Sequence, residues 1–323
     1  MNNMPTIIDG NTPSSIKIAV NALTNGDIVA LPTETVYGLA ADATNKIAVQ
    51  KVFLAKGRPA INPLICHIHE DFDLSEYVEI TDDAQKLMQQ FWPGPLSIIF
   101  TLKSNSPISA LVTAGLPSVA LRAPNHPVFR QVLKSLGRPI AAPSANKSEG
   151  LSPTTAQHVA DSLSATDIYI FDGRNTNIGL ESTIVDARNP TPILLRYGTI
   201  TAKEIEQCLN KKVTVKTSPN KNEDILSPGQ MLRHYAPRKK LYLNVTNPNN
   251  DSAWLSFGQN NLNHLYELNL SPNGDLAEAA QNLFSFLWKA DKLNVKSICV
   301  APIPNMDIGI AINDRLKRAA NES

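Results

Sequence analysis

Short apolar runs alternate with helix-period patterns through the first two hundred residues of this chain, and that rhythm restricts it to a layered α/β fold. Ser14 to Asn25 carries apolar residues at helical spacing with Gly26 just past its end, and the strand IVALP follows. Thr81 opens a second helix with Asp82 and Asp83 in its first turn. Ala84, Leu87, Met88 and Phe91 then recur at helical intervals, which marks a core-facing stripe. Pro127 stands near the start of a third helix, with Phe129, Val132, Leu133 and Leu136 on one face and Gly137 as its stop. LSIIFTL, SVALR, DIYIF, STIVD and ILLRY read as strands, and Thr201 with Glu204 forms a capping box ahead of AKEIEQCL.

The rhythm fails from 211 to 238, a polar, proline-bearing, charged stretch in which only VTV could pair as a strand. An extended linker is the reading. Beyond it come LYLNV, AWLSF and LYELNL, then a helix over about 275–291 with Leu276, Ala279, Ala280, Leu283 and Leu287 in phase, then SICVAP and a helix near 309–320. That order predicts a small α/β domain with a mostly parallel sheet. At 323 residues the chain is long enough for two domains, here 1–210 and 239–323 with 211–238 between them.

Charge and cysteine content remove several classes of function. A formal charge of +1 argues against a protein whose whole surface grips nucleic acid, while leaving room for a local basic cleft. Cys66, Cys208 and Cys299 are scattered and form no CxxC pair, so reduced thiols are expected rather than a disulfide framework or a zinc site, with Cys66 a small buried apolar group. The first residues, MNNMPTIIDGNTPSS, lack a basic segment followed by an apolar one, and no apolar run approaches the roughly 20 residues that span a bilayer. A soluble, cytoplasmic protein without membrane contact is expected. Neither GxxxxGK(S/T) nor GxGxxG occurs, nor HExxH or GxSxG.

Polar clusters nevertheless interrupt the apolar pattern beside strands, where sites collect in α/β folds. In LPTETVYGLAAD (31–42), Thr33 and Thr35 flank Glu34, so both hydroxyls share one side of an extended chain; an ordinary strand-to-helix turn is the competing reading. In KGRPAINPLICHI, Lys56 and Arg58 stand two apart after a helix, on a loop braced by Pro59 and Pro63. They either answer the helix dipole or present paired cations to a polyphosphate. Arg122 ends an apolar strand and needs an anionic partner, internal or bound. PSANKSEGLSPTTAQH (143–158) is dense in hydroxyl and amide groups, and Ser182 and Arg196 follow on later strands. Hydroxyls, amides and arginines without a nucleophile–base pair point to binding and orientation, and no covalent nucleophile is expected.

Taken together, PTETVYGL, KGR with SAN, SPTT, ESTIVD and SPGQMLRHYAP resemble the YrdC-like family in its long form, the threonylcarbamoyl-AMP synthases with a C-terminal domain. The resemblance covers nearly the whole chain and is strongest over 28–200 and 227–237. It implies an N-terminal twisted mixed sheet with helices, an extended linker folding over the active site, and a small Rossmann-like C-terminal domain. It also implies a nucleotidyltransferase that condenses L-threonine, bicarbonate and ATP to threonylcarbamoyl-AMP and pyrophosphate, with Mg2+ accompanying ATP and no protein metal site. Thr35, His67, Arg122, the backbone at Ala142, and Ser182 would surround threonine. Arg58, Asn62, Ser118, Ser144, Ser152, Arg196 and Tyr235 would hold ATP, with Lys56 and Asn146 completing the KxR and SxN pair and Lys56 and Arg58 stabilising charge. Residues 143–158 would form a phosphate-facing wall. The product would pass to a tRNA threonylcarbamoyl transferase complex, with tRNA contact as an accompanying expectation. Two departures stand out: Gln230 to Leu232 differ from the family's usual linker, and Glu149 stands where glycine is common. The principal alternative is a double-stranded RNA or tRNA-binding module of the same fold without synthesis.

Overall fold

The computed structural model describes residues 4–217, 228 and 234–320. Its first part runs β1 (Thr6–Asp9), α1 (Pro13–Thr24), β2 (Val29–Leu31), β3 (Gly38–Asp42), α2 (Lys46–Lys56), β4 (Ile65–His67), β5 (Val78–Glu79), α3 (Asp82–Phe91), β6 (Leu96–Leu102), α4 (Ala110–Thr113) and β7 (Ser118–Arg122). It continues through α5 (Pro127–Leu136), β8 (Ile140–Ala141), α6 (Ala156–Ser162), β9 (Tyr169–Asp172), β10 (Thr183–Asp186), β11 (Ile193–Arg196), α7 (Ala202–Leu209) and β12 (Thr214–Val215). The helix starts follow from side chains that satisfy otherwise orphaned amides. Thr81 accepts from the Ala84 amide at 3.2 Å, and Thr201 and Glu204 close the predicted capping box. Gly57 and Gly137 end α2 and α5 in left-handed conformations at φ 63° and 65°.

These strands form one mixed sheet in the order β1-β9-β2-β3-β8-β4-β7-β6-β10-β11-β12, with β5 on β6. The bland reading of 31–42 as a strand-to-helix turn is replaced: the segment turns β2 back antiparallel onto β3. Strand β12 pairs with β11, so the first sheet reaches Val215, past the expected boundary at 210. Of the linker stretch SPGQMLRHYAP, Pro228 and 234–237 are described; Gln230 to Leu232 lie outside the described residues.

The second part comprises β13 (Lys240–Tyr242), β14 (Ser252–Ser256), β15 (Glu267–Asn269), α8 (Leu276–Lys292), β16 (Ser297–Val300) and α9 (Ile308–Ala320), with an all-parallel sheet β13-β16-β14-β15. It packs directly on the first part. Val36, Leu151, Leu180 and Tyr235 share one apolar cluster with Leu283, Phe284, Leu287 and Ile312. Trp288 stacks on His158 with ring centroids 4.9 Å apart and planes 8° from parallel, and its indole N–H donates to the Ser152 carbonyl at 3.2 Å. Gly179, at φ +77°, brings its backbone so close to α8 that a Cβ there would lie 2.5 Å from the Gln281 carbonyl oxygen.

Candidate active site

Strand register builds the site. β4 and β7 run parallel with His67 beside Arg122, and the antiparallel register Ile98↔Leu121 sets Ser97 on the other side of Arg122. Ser97 pairs with Ile184, which pairs with Arg196. One face of five adjacent strands therefore carries His67, Arg122, Ser97 and Arg196 in a row, with the Ser182 hydroxyl 2.8 Å from that of Ser97. Farther along the same face Ile65, Ala120 and Ile99 form an apolar floor that Ile184 joins from the row itself.

Above this row sit two loops. In the PTET turn the Thr33 hydroxyl accepts from the Val36 amide at 3.1 Å, donates to the Val36 carbonyl at 2.7 Å and lies 2.8 Å from the Thr35 hydroxyl, so the two threonines do share a side. The 143–153 loop locks onto this turn: the Tyr37 amide donates to Pro153 and the Ala145 amide to Tyr37, both at 2.8 Å. The cavity between them is lined by Thr35, Arg58, His67, Arg122, Ala142, Ser144, Ser182, Arg196 and Tyr235 from the expected set, together with Glu181 and His234. Its free space is only roughly 50 Å³, room for about one or two waters, because His234 and Tyr235 fill it.

Several expected residues stand behind the lining. The Lys56 ammonium has three acceptors: the carbonyls of Ser144 at 2.5 Å and Asn146 at 2.6 Å, and Asn146 Oδ1 at 3.3 Å. A lysine has three N–H donors, so here it anchors the SxN loop rather than facing a ligand. Asn146 ties down Gly150 through its side-chain amide at 2.8 Å. Ser152 donates to Glu181 and Asn62 is buried under Arg58. Ser118 is buried at the far end of β7, about 13 Å along the strand from Arg122. The hydroxyl-rich 143–158 stretch is only partly a wall to the cavity. Ser144 lines it, whereas Thr155 caps α6 and Thr154 pairs with His158. Glu149 points to solvent at φ 67°, a left-handed conformation that explains why glycine suits this position.

Electrostatics set the chemistry. Arg122 meets an internal carboxylate, Glu34 Oε1, at 2.7 Å, and also donates to the Gly94 carbonyl and the Thr35 hydroxyl. The Glu34 contact is close but poorly aligned: both Glu34 oxygens and Arg122 Nη2 lack a directed hydrogen-bond partner in the protein. Among the described residues Arg58 donates to the Asn62 and Pro63 carbonyls, and Arg196 to the Ser182 carbonyl and hydroxyl. Burial pushes Arg58 down to about 9, with repulsion from Arg196 adding to it, and Arg196 down to about 10, with Arg315 and Arg122 adding to it. Burial, with Arg58 and Lys147 nearby, holds Lys56 well below the usual lysine range. Burial and the surrounding cations likewise keep His67 and His234 neutral at physiological pH. Buried cations that destabilise one another around a small cavity suit an anionic group. Among the described residues, His67 Nδ1, His234 Nδ1 and the Tyr235 hydroxyl are also buried without a hydrogen-bond partner. Among the described residues no His, Cys, Asp or Glu group is placed to hold a metal ion, and no helix is long and apolar enough to cross a membrane.

Sequence reasoning missed Glu181, His234 and Arg315 as site residues, and Glu34 as the partner of Arg122. Glu34 and Glu181 adjoin singled-out residues, but only the fold shows which way they turn. Arg315 left a signal that went unread: it occupies the apolar phase of α9 with Ile312, Leu316 and Ala319.

The fold and site define an α/β protein whose buried arginines and histidines converge with hydroxyl groups on one small cavity suited to anionic groups. The chain belongs to the Sua5/YciO/YrdC family. That family's profile, described as "Telomere recombination", matches residues 21–198, and the profile described as "Threonylcarbamoyl-AMP synthase, C-terminal domain" matches 200–321. A Bacillus subtilis protein named threonylcarbamoyl-AMP synthase is 37% identical over 321 residues, covering 94% of this chain and 92% of its own. One of the same name from Pyrococcus abyssi is 36% identical and covers 94% of both chains. The crystal structure of P. abyssi Sua5 complexed with L-threonine superposes with a TM-score of 0.86 at 32% identity, covering 98% of this chain and 97% of that one.

Proposed function

We propose that this chain is a threonylcarbamoyl-AMP synthase that condenses L-threonine, bicarbonate and ATP. The observation that carries this reading is the division of the cavity into two ends of different charge. At one end Arg122, partly matched by Glu34, sits with Thr35, His67 and Ser182; at the other, Arg58 and Arg196 face the cavity without a direct ion pair among the described residues, with Glu181 near Arg196. The first end suits a zwitterion. The carboxylate of threonine takes the undirected Nη2 of Arg122, and its polar atoms meet Thr35, Ser182 and the neutral Nδ1 of His67. The Ala142 amide is already spent on Ile65, so that residue offers its carbonyl.

The second end suits the phosphates of ATP, cradled by Arg58, Arg196 and Ser144, with Lys56 and Asn146 fixing the loop that carries Ser144. The threonine amine adds to bicarbonate to form a carbamate and water. A carbamate oxygen then attacks the α-phosphorus of ATP, and pyrophosphate leaves with the bonding electrons. No protein nucleophile takes part; positioning and charge neutralisation lower the barrier. The described side chains do not fit a protein-held metal, so Mg2+ is assigned to the phosphate oxygens of ATP and water. The mixed-anhydride product suits consumption by a cytoplasmic transferase complex acting on tRNA. RNA binding as the sole activity loses support, because these cations are buried around a small cavity and not spread over an open surface.

The test is pyrophosphate release from ATP by the intact chain, with L-threonine and bicarbonate each omitted in turn. Release that requires both is expected; release without threonine overturns the reading.

A further inference from the structure

The side chain of Arg315 belongs to the C-terminal domain yet is the largest of the fully buried side chains among the described residues, and it lies against the cavity wall of the other domain. Its Nε donates to Glu181 Oε2 at 2.9 Å and its Nη2 to the Tyr197 carbonyl at 2.8 Å. The guanidinium lies 5.2 Å from the centroid of the Tyr235 ring, which Phe284 of α8 contacts at 5.5 Å. The second oxygen of Glu181 accepts from Ser152, and the next residue, Ser182, carries the hydroxyl that accepts from Arg196. One side chain thus joins the aromatic group filling the cavity to the wall beside the nucleotide end. Arg318, one turn further along α9, donates to the Thr217 carbonyl at 3.0 Å, and its own carbonyl accepts from the His234 amide at 3.4 Å.

Two physical points give this arrangement meaning. Tyr235 sits at φ 64°, a costly conformation for a bulky residue that persists only where its surroundings over-determine it. A buried arginine–carboxylate pair, moreover, adds little net stability over well-packed apolar groups, so stability alone does not account for a guanidinium in the apolar phase of α9. We propose that Arg315 is a positioning residue of the active site, holding Tyr235 and the Glu181–Ser152 wall in register for the nucleotide so that docking of the C-terminal domain sets nucleotide affinity. The proposal rests on the synthase reading only for the identity of the nucleotide.

The test compares wild type, Arg315→Lys, Tyr235→Ala and the double variant. Lysine keeps the charge opposite Glu181 but loses the planar fork and the flat face against Tyr235. Calorimetry with ATP and, separately, with L-threonine should show ATP binding weakened about tenfold in Arg315→Lys, with threonine binding within about twofold of wild type. In the Tyr235→Ala background the lysine substitution should cost clearly less than it does alone, because the two act as a unit. Hydrogen exchange provides a readout independent of the reaction: the Ala236 amide, which donates to the Glu149 carbonyl at 2.8 Å, should exchange faster in Arg315→Lys. Equal losses of ATP and threonine affinity, additive effects in the double variant, or unchanged exchange at Ala236 would each overturn the proposal. If the wild type binds neither ATP nor threonine, the synthase reading fails on its own and the exchange comparison alone decides the role of Arg315.

Discussion

Replacing Gly179 by alanine should loosen the C-terminal domain from the catalytic sheet, and the protein contains its own control. Gly179 and Gly137 both adopt left-handed backbone, at φ +77° and +65°. Alanine in that region costs about 1–2 kcal/mol wherever it occurs. A Cβ at 137 meets nothing within 4 Å, so Gly137→Ala should cost that amount and no more. A Cβ at 179 would stand 2.5 Å from the Gln281 carbonyl oxygen and 2.7 Å from that of Ala280, both helix backbone that cannot step aside without moving α8. Overpacking of this kind adds about 1–3 kcal/mol, bringing Gly179→Ala to about 2–5 kcal/mol. Urea unfolding followed by tryptophan fluorescence reads both variants, since Trp288 stacks across the junction. ATP affinity should fall in the 179 variant and hold in the 137 variant. Equal midpoints for the two variants would refute the argument that the close approach of 179 to α8 is what docks the domains.

Arg122→Met strands the buried Glu34 carboxylate and should cost about 3–5 kcal/mol; adding Glu34→Gln should return most of that stability while calorimetric threonine binding stays lost. Lys56→Met orphans the Ser144 and Asn146 carbonyls, so a loss of about 1–3 kcal/mol is expected, with ATP binding weakened and threonine binding largely kept. Acid should destabilise the chain through its histidines. Burial, with Lys292 adding to it, pushes His158 down to about 4, so the folded state binds fewer protons than the unfolded one below about pH 6.5. That contribution is complete above about pH 6.5 and lost toward pH 4, by about 3 kcal/mol; urea midpoints across this range should fall less steeply in His158→Phe.

How much of this was legible depended on how local each cause is. The capping box at Thr201 and Glu204, the stripe from Ala84 to Phe91 and the stop at Gly137 are decided within a few residues, and the structure keeps them. The row of His67, Arg122 and Arg196 was legible only as separate strand-end signals, because its alignment depends on a register across five strands that no short segment encodes. Segment 31–42 was ambiguous for a related reason: a turn signal says that the chain reverses, whereas pairing with β2 decides that a strand follows. Lys56 and Asn146, paired by motif, touch in the structure. Motif alone does not show that the lysine spends its donors on the loop, since that depends on where 144–146 comes to rest.

On the proposed assignment, the two ends of the cavity should recognise their ligands by different physics. Threonine is a zwitterion of zero net charge, and its end already contains the carboxylate of Glu34 beside Arg122. Little net field remains there, so discrimination falls to directed hydrogen bonds and to the apolar floor of Ile65 and Ala120, which can sense a methyl group. At the end proposed for the nucleotide Arg58 and Arg196 rest on carbonyl and hydroxyl oxygens; burial lowers both, with repulsion from Arg196 adding to it at Arg58 and from Arg315 and Arg122 at Arg196. A polyphosphate removes that penalty while forming charge-assisted bonds, so much of its affinity comes from relieving a cost already built into the folded protein. A site so arranged is least favourable when empty. The placement of Tyr235 fits this: a neutral aromatic whose burial raises its hydroxyl above the usual phenol range lines the space beside the cations without adding a further fixed anion for ATP to displace.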